Sequence, residues 1–71
     1  MSISYKKLWK LLIDKDMTKT KLREKADIAT STLAKLSKDE QVSMDVLLRI
    51  CKTLDCDIAD IMELTKESKN V

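Results

Sequence analysis

Residues 22–35 read LREKADIATSTLAK, with apolar side chains at helical spacings on either side of Asp27. These apolar residues are Leu22, Ala26, Ile28 and Leu33. Aspartate tolerates a left-handed backbone better than most residues other than glycine, which makes Asp27 a candidate for a tight turn. The pattern therefore predicts a short helix, a turn and a second short helix that opens with three hydroxyl residues, Thr30 to Thr32. This arrangement is a helix-turn-helix motif.

Polar residues that favour helix starts flank the motif. Ser4 is the predicted N-cap of a first helix that ends near Lys15. Thr18 is the predicted N-cap of the second helix, which runs through Lys25, and the third helix covers residues 30–38. Each start lies directly before an apolar-periodic segment, so the three helices follow one another with short connections.

Two more helices are predicted after a loop at residues 39–42. Ser43 is the N-cap of a fourth helix with apolar residues at i, i+3, i+4 and i+7, namely Leu47, Ile50, Cys51 and Leu54. Asp57, with Asp60 three residues later, resembles a capping box for a short fifth helix. We therefore expect an all-α fold, a compact five-helix bundle around a Leu/Ile core.

The chain has 71 residues, which is enough for one small domain. We expect the domain to span residues 1–64 and to be followed by a polar, disordered tail at 65–71. The sequence has no histidine, glycine or proline, and its two cysteines, Cys51 and Cys56, do not have the spacing of a redox or zinc pair. We interpret both cysteines as small buried apolar residues. We expect no enzyme activity, cofactor or metal.

The charge is unevenly distributed along the chain, although the net charge is only +2. Residues 1–38 contain ten Lys/Arg and four Asp/Glu, a net of +6, whereas residues 39–71 contain four and eight, a net of −4. The N-terminal half is thus the candidate side for a polyanion. No apolar run approaches the about 20 residues that span a bilayer, so we expect a cytoplasmic protein.

The outer face of the third helix is the candidate functional surface. Ser31, Lys35 and Lys38 follow one another at i, i+4 and i+7, and Thr30 and Ala34 lie beside them. A recognition helix presents its N-terminal residues to base edges in the major groove, where hydroxyls and lysines can bond to bases or phosphates.

The chain resembles the Cro and phage-repressor type of helix-turn-helix protein, also called the XRE family, from Leu8 to about Leu64. The resemblance lies in MTKTKLREKADIATSTLAKLSKDE, followed by SMDVLLRICKTLDCDIADIMEL. It implies a lambda-repressor-like domain in a sequence-specific transcriptional regulator, a repressor, that binds double-stranded operator DNA as a homodimer. The same resemblance implies base reading by Thr30, Ser31 and Lys35. It implies phosphate binding by Thr18, Lys19 and Lys38.

Two departures from the family pattern bear on DNA binding. Asp27 occupies the turn position that the family usually gives to glycine. The loop after the third helix is usually basic but here reads Asp39-Glu40-Gln41, which removes phosphate contacts and predicts a shallow salt dependence.

Three alternatives remain open from the sequence. The hydroxyls at residues 30–32 could serve only to cap the third helix. The fold could be a protein-interaction module, such as an antitoxin-like or regulatory partner that binds through the third helix or Trp9. The basic first helix could bind a membrane surface, although its apolar face is better used in the core.

Overall fold

The structure, a computed structural model that describes residues 2–65, contains four α-helices, one short 3₁₀ helix and a two-stranded sheet within that range. The strands are β1, Ser2–Ser4, and β2, Glu63–Thr65. The α-helices are α1, Lys6–Asp14, α2, Lys19–Ala26, α3, Thr30–Ser37, and α4, Met44–Leu54. The 3₁₀ helix, η1, covers Ile58–Asp60.

The predicted five-helix bundle is therefore correct in its helical core, but a fifth α-helix is not confirmed. The fifth helix is only the single 3₁₀ turn η1, although Asp57 and Asp60 do form the predicted capping box. Ile61 directly after the turn is fully buried, and the chain then pairs with β1, which leaves no room for a longer helix.

The sheet is antiparallel, with Ser2 opposite Thr65, Ile3 opposite Leu64 and Ser4 opposite Glu63. Three residues are too few to show the alternation that identifies a strand in sequence, and the pairing joins the two ends of the domain. Ser4 belongs to β1 and is not the N-cap of α1, which is Tyr5, although its hydroxyl accepts the Lys6 N–H at 3.3 Å. Thr65, the first residue of the predicted tail, lies in β2, and residues 66–71 lie outside the described range.

A left-handed aspartate follows the last turn of each of the four α-helices. Asp16, Asp27, Asp39 and Asp55 have φ angles of 57, 56, 58 and 54°. In each case the N–H of the following residue bonds to the carbonyl five positions earlier, the bond that defines a Schellman motif. A chain without glycine thus terminates its helices with the residue type that reaches this backbone region at moderate cost.

The core is built from the inner faces of the four α-helices and from residues that flank the helices. Its buried members are Tyr5, Leu8, Leu12, Leu22, Ala26, Ile28, Leu36, Leu47, Ile50, Cys51, Leu54 and Ile61. α2 packs closely on α4, and α3 on α2. No helix within residues 2–65 is long and apolar enough to cross a membrane.

Candidate nucleic-acid interface

The turn between α2 and α3 has the predicted geometry. Asp27 adopts φ 56° and ψ 51°, and the Ile28 N–H donates to the Arg23 carbonyl at 3.1 Å. Leu22 and Ile28, on either side of the turn, are both buried. The two helices are therefore joined by a closed turn whose flanking apolar residues are held in the core.

Arg49 of α4 supports this turn from outside the motif. Its Nη1 donates to the Asp27 carbonyl at 2.9 Å, and its Nε lies 3.1 Å from Asp45 Oδ2. The bond links α4 directly to the left-handed residue of the turn. Sequence reasoning missed this residue because its partner is a backbone carbonyl 22 positions away.

α3 has one buried face and one exposed face. Leu36 is fully buried and Leu33 is half-buried against the core. Thr30, Ser31 and Lys35 are all exposed. The predicted base-reading residues are thus presented to solvent by a helix whose inner leucine fixes its rotation.

The hydroxyls of α3 do not cap their own helix. The N-cap is Ala29, with an extended backbone and no side-chain cap bond. Thr30, Ser31 and Thr32 make no side-chain hydrogen bond to any part of the chain that the structure describes. The capping interpretation of these three residues is therefore wrong. Their donors and acceptors are left for solvent or a ligand.

Thr18 is the N-cap of α2, as predicted. Its Oγ1 accepts the Lys21 N–H at 3.1 Å, which leaves the hydroxyl proton free to be donated outward. The N–H groups of Lys19 and Thr20, in the first turn of α2, have no intrahelical acceptor. Such a helix start attracts an anion.

Lys19 is held beside this helix start by an aromatic ring. Its Nζ lies 4.2 Å from the centroid of Trp9, which is half-buried on α1. A cation over the face of an indole is attracted by the electron-rich ring. Trp9 thus restricts the positions of a cation carried by the first residue of α2.

Lys38 is exposed at the C-terminus of α3, where the chain enters the acidic loop. Asp39, the next residue, accepts the Tyr5 N–H on its Oδ1 at 3.0 Å, and the Tyr5 hydroxyl donates to the Glu40 carbonyl at 2.9 Å. The acidic loop thus holds the start of α1 in place. Sequence reasoning, which treated the loop only as a loss of basic charge, missed this role.

Tyr5 is almost fully buried, with 1% of its surface exposed. Burial raises the pKa of its phenol above the ordinary value of 10.0, and the Asp39 carboxylate raises it further. The neutral phenol, which is the form that donates to Glu40, is therefore favoured throughout the physiological pH range.

β1 lies next to the candidate interface. An open cleft of about 450 Å³ is lined by Ser2, Ile3, Lys35, Asp39, Glu40 and Gln41. The acidic residues Asp39 and Glu40 thus line the same cleft as Lys35, although Lys35 forms no ion pair within the described residues. This proximity reduces the positive potential at Lys35.

Comparisons with known proteins agree with this geometry. Residues 7–67 match the Cro/C1-type HTH DNA-binding domain family. The crystal structure of the transcriptional regulator VanUg, Form II, is 56% identical in sequence, with a TM-score of 0.90 over 93% of this chain and 88% of that chain. No curated protein matches the chain. With its helix-turn-helix at residues 19–37, the chain belongs to the Cro/C1-type family of DNA-binding transcriptional regulators.

Proposed function

We propose that the protein is a sequence-specific repressor that binds double-stranded operator DNA as a homodimer. The observation that carries this proposal is the outer face of α3, where Thr30, Ser31 and Lys35 are exposed and the hydroxyls do not cap the helix. An exposed hydroxyl cluster that the fold does not use for capping is suited to contacting base edges.

Base reading is assigned to Thr30, Ser31 and Lys35. The short hydroxyl side chains at the start of α3 allow the backbone to approach the floor of the major groove. Lys35, one turn later, reaches guanine O6 and N7 or a phosphate. Hydroxyls can bond to several bases, so Lys35 is the residue whose loss most reduces discrimination between sequences.

Phosphate binding is assigned to Thr18, Lys19 and Lys38. Thr18 and the free N–H groups of α2 form an anion-binding helix start, and Lys19 adds a cation to it. Lys38 contributes a cation at the opposite end of α3. These contacts set register and affinity and do not distinguish between sequences.

The dimer follows from the size of the readout. One α3 covers only a few base pairs. A dimer contacts two half-sites about 34 Å apart and is therefore more specific than a single domain. Large apolar side chains available for a dimer contact are Ile13, Met44, Leu48 and Leu64.

Repression needs no further surface, because occupying an operator is sufficient to exclude another protein from it. VanUg, a transcriptional regulator, supports a regulatory role.

The test is selection of bound sequences from a random pool of duplex DNA, followed by titration of the selected site at several salt concentrations. We expect a two-fold symmetric site with half-sites about one helical turn apart. We also expect a linear fall of log affinity with log salt. Lys35→Glu should reduce affinity for the selected site at least about thirtyfold, since the contact is lost twice in a dimer and each loss is about 1–3 kcal/mol.

Lys52→Glu is the matched control. Lys52 is also an exposed helical lysine, but it lies on α4. It lines a separate cleft together with Arg49 and Asp27. We expect its charge reversal to change affinity only a few-fold. Lys38→Ala should weaken selected and random DNA equally. Equal loss in Lys35→Glu and Lys52→Glu, with unchanged circular dichroism, would exclude a base-reading role for Lys35.

The protein-interaction module is the second candidate function. Ile13 favours it, because this side chain is 76% exposed beside Trp9 and Met17, with which it lines an apolar cleft. If no DNA is selected and none binds at about 50 mM salt, where phosphate contacts are strongest, the protein-partner function is favoured instead. Under that outcome, Ile13→Lys should disrupt the complex and Lys35→Glu should not.

A further inference from the structure

The end of α4 brings the two cysteines together. In a Schellman motif, the side chain three residues before the helix cap meets the side chain two residues after it. At the end of α1 this pair is Leu12 and Met17, an apolar contact. At the end of α4 it is Cys51 and Cys56, whose backbones are joined by a bond of 3.0 Å from the Cys56 N–H to the Cys51 carbonyl.

The two thiols are neighbours but are not bonded covalently. Both cysteines are free, and the Schellman geometry of the helix end places their side chains next to each other. Cys51 is buried in the core, whereas Cys56 is half-buried and lines an open cleft of about 490 Å³. A small oxidant can therefore reach Cys56 first, with Cys51 placed behind it.

We propose that Cys51 and Cys56 form a dithiol site that a peroxide oxidises to an intramolecular disulfide and a thiol reductant restores. The backbone bond of the helix end already places both side chains next to each other. The proposal does not rest on DNA binding.

The reaction begins at Cys56. Its thiolate attacks one peroxide oxygen, the O–O bond breaks, and hydroxide leaves as Cys56 becomes a sulfenic acid. The Cys51 sulfur then attacks the Cys56 sulfur, the S–O bond breaks and water leaves. Overall, two thiols lose two electrons and two protons to hydrogen peroxide, which gives one disulfide and two waters.

The surroundings make this oxidation slow at neutral pH. Burial, the Cys51 thiol and Asp60 raise the pKa of Cys56 to about 11, against the opposing effect of Lys15. Burial also raises the pKa of Cys51. The charged groups around the cleft are Lys7, Lys10, Asp14, Lys15, Asp55, Asp57 and Asp60. Only about one molecule in ten thousand carries the Cys56 thiolate at pH 7, so the rate should rise about tenfold per pH unit up to about pH 10.

The experiment is oxidation of the purified protein with hydrogen peroxide, followed by intact mass and peptide mapping. We expect a loss of about 2 Da, no free thiol and no covalent dimer. Trypsin cleaves after Lys52, between the two cysteines, and therefore separates them in the reduced protein. In the oxidised protein, Ile50–Lys52 should remain attached to the peptide that begins at Thr53 until reductant is added.

Single-thiol variants provide the control. Cys51→Ser should stop at the sulfenic acid or its further oxidation products, with a gain of about 16 or 32 Da in place of the 2 Da loss. Any failure of this variant to fold leaves the tryptic map of the unaltered protein as the deciding result. A gain of oxygen on both cysteines of the unaltered protein, or a disulfide-linked dimer, would overturn the proposal.

Discussion

α2 and α4 begin at a hydroxyl residue whose side chain accepts a backbone N–H, whereas α3 begins at Ala29, whose side chain cannot. Thr18 caps α2 at 3.1 Å and Ser43 caps α4 at 3.3 Å. α1 takes its acceptor, Asp39, from a loop 34 residues away. α3 has three hydroxyl residues at its start, and none of them is used in this way within the described chain. The difference separates polar residues that hold the fold from polar residues that are available to a ligand.

The acceptor at the start of α1 gives the largest expected effect. Asp39→Ala removes the carboxylate that accepts the Tyr5 N–H and places a less tolerant residue at φ 58°. We expect a loss of about 2 kcal/mol of unfolding free energy, measured by urea denaturation. Asp39→Asn keeps an oxygen acceptor and the tolerance of this backbone, and should lose less than half as much. Equal losses in the two variants would show that the carboxylate charge, and not the acceptor geometry, is what stabilises α1.

The next largest effect is expected when a hydroxyl cap is removed. Thr18→Ala should cost about 1 kcal/mol of unfolding free energy, because the Lys21 N–H loses its acceptor. Ser31→Ala, an exposed substitution that removes no hydrogen bond within the described residues, should change stability by less than about 0.5 kcal/mol. In DNA titrations, Thr18→Ala should bind all DNA more weakly. Ser31→Ala should bind only the selected site more weakly. A loss of stability in Ser31→Ala equal to that in Thr18→Ala would remove the distinction between the two helix starts.

A cap can also be added where it is missing. Ala29→Ser introduces an acceptor at the N-cap of α3, whose backbone is already extended at φ −73° and ψ 156°. We expect a gain of about 0.5–1 kcal/mol in unfolding free energy. Ala29→Val, which has no acceptor, is the control and should give no gain. Unchanged stability of Ala29→Ser would mean that the start of α3 is already satisfied by solvent.

The smallest effect is expected where Trp9 meets Lys19. Trp9→Leu removes the ring that lies 4.2 Å from Nζ and should weaken binding to all DNA about two- to fivefold, the size of an exposed cation–π interaction. The measurement is a double-mutant cycle with Lys19→Gln, in titrations at constant salt. Additive losses in the double variant would show that Trp9 does not act through Lys19.

Much of the site could be predicted from the sequence because it is local. The turn at Asp27, the Thr18 and Ser43 caps and the exposed face of α3 each depend on residues within one or two helical turns, where spacing and residue type are informative. The features that could not be predicted link distant segments. They are the Asp39–Tyr5 and Arg49–Asp27 bonds, the Lys19–Trp9 contact and the β1–β2 pair.

The 3₁₀ helix η1 shows the same division, between local and long-range causes, within a few residues. The sequence alone determined that a helical turn begins at Asp57, because the capping box needs only residues 57–60. The tertiary structure alone decided that it ends after one turn, because burial of Ile61 and pairing of β2 with β1 redirect the chain. Local hydrogen bonding and periodicity therefore specified the helix-turn-helix and its exposed residues. Packing between segments far apart in the chain decided where η1 stops and which residues hold the start of α1 and the Asp27 turn in place.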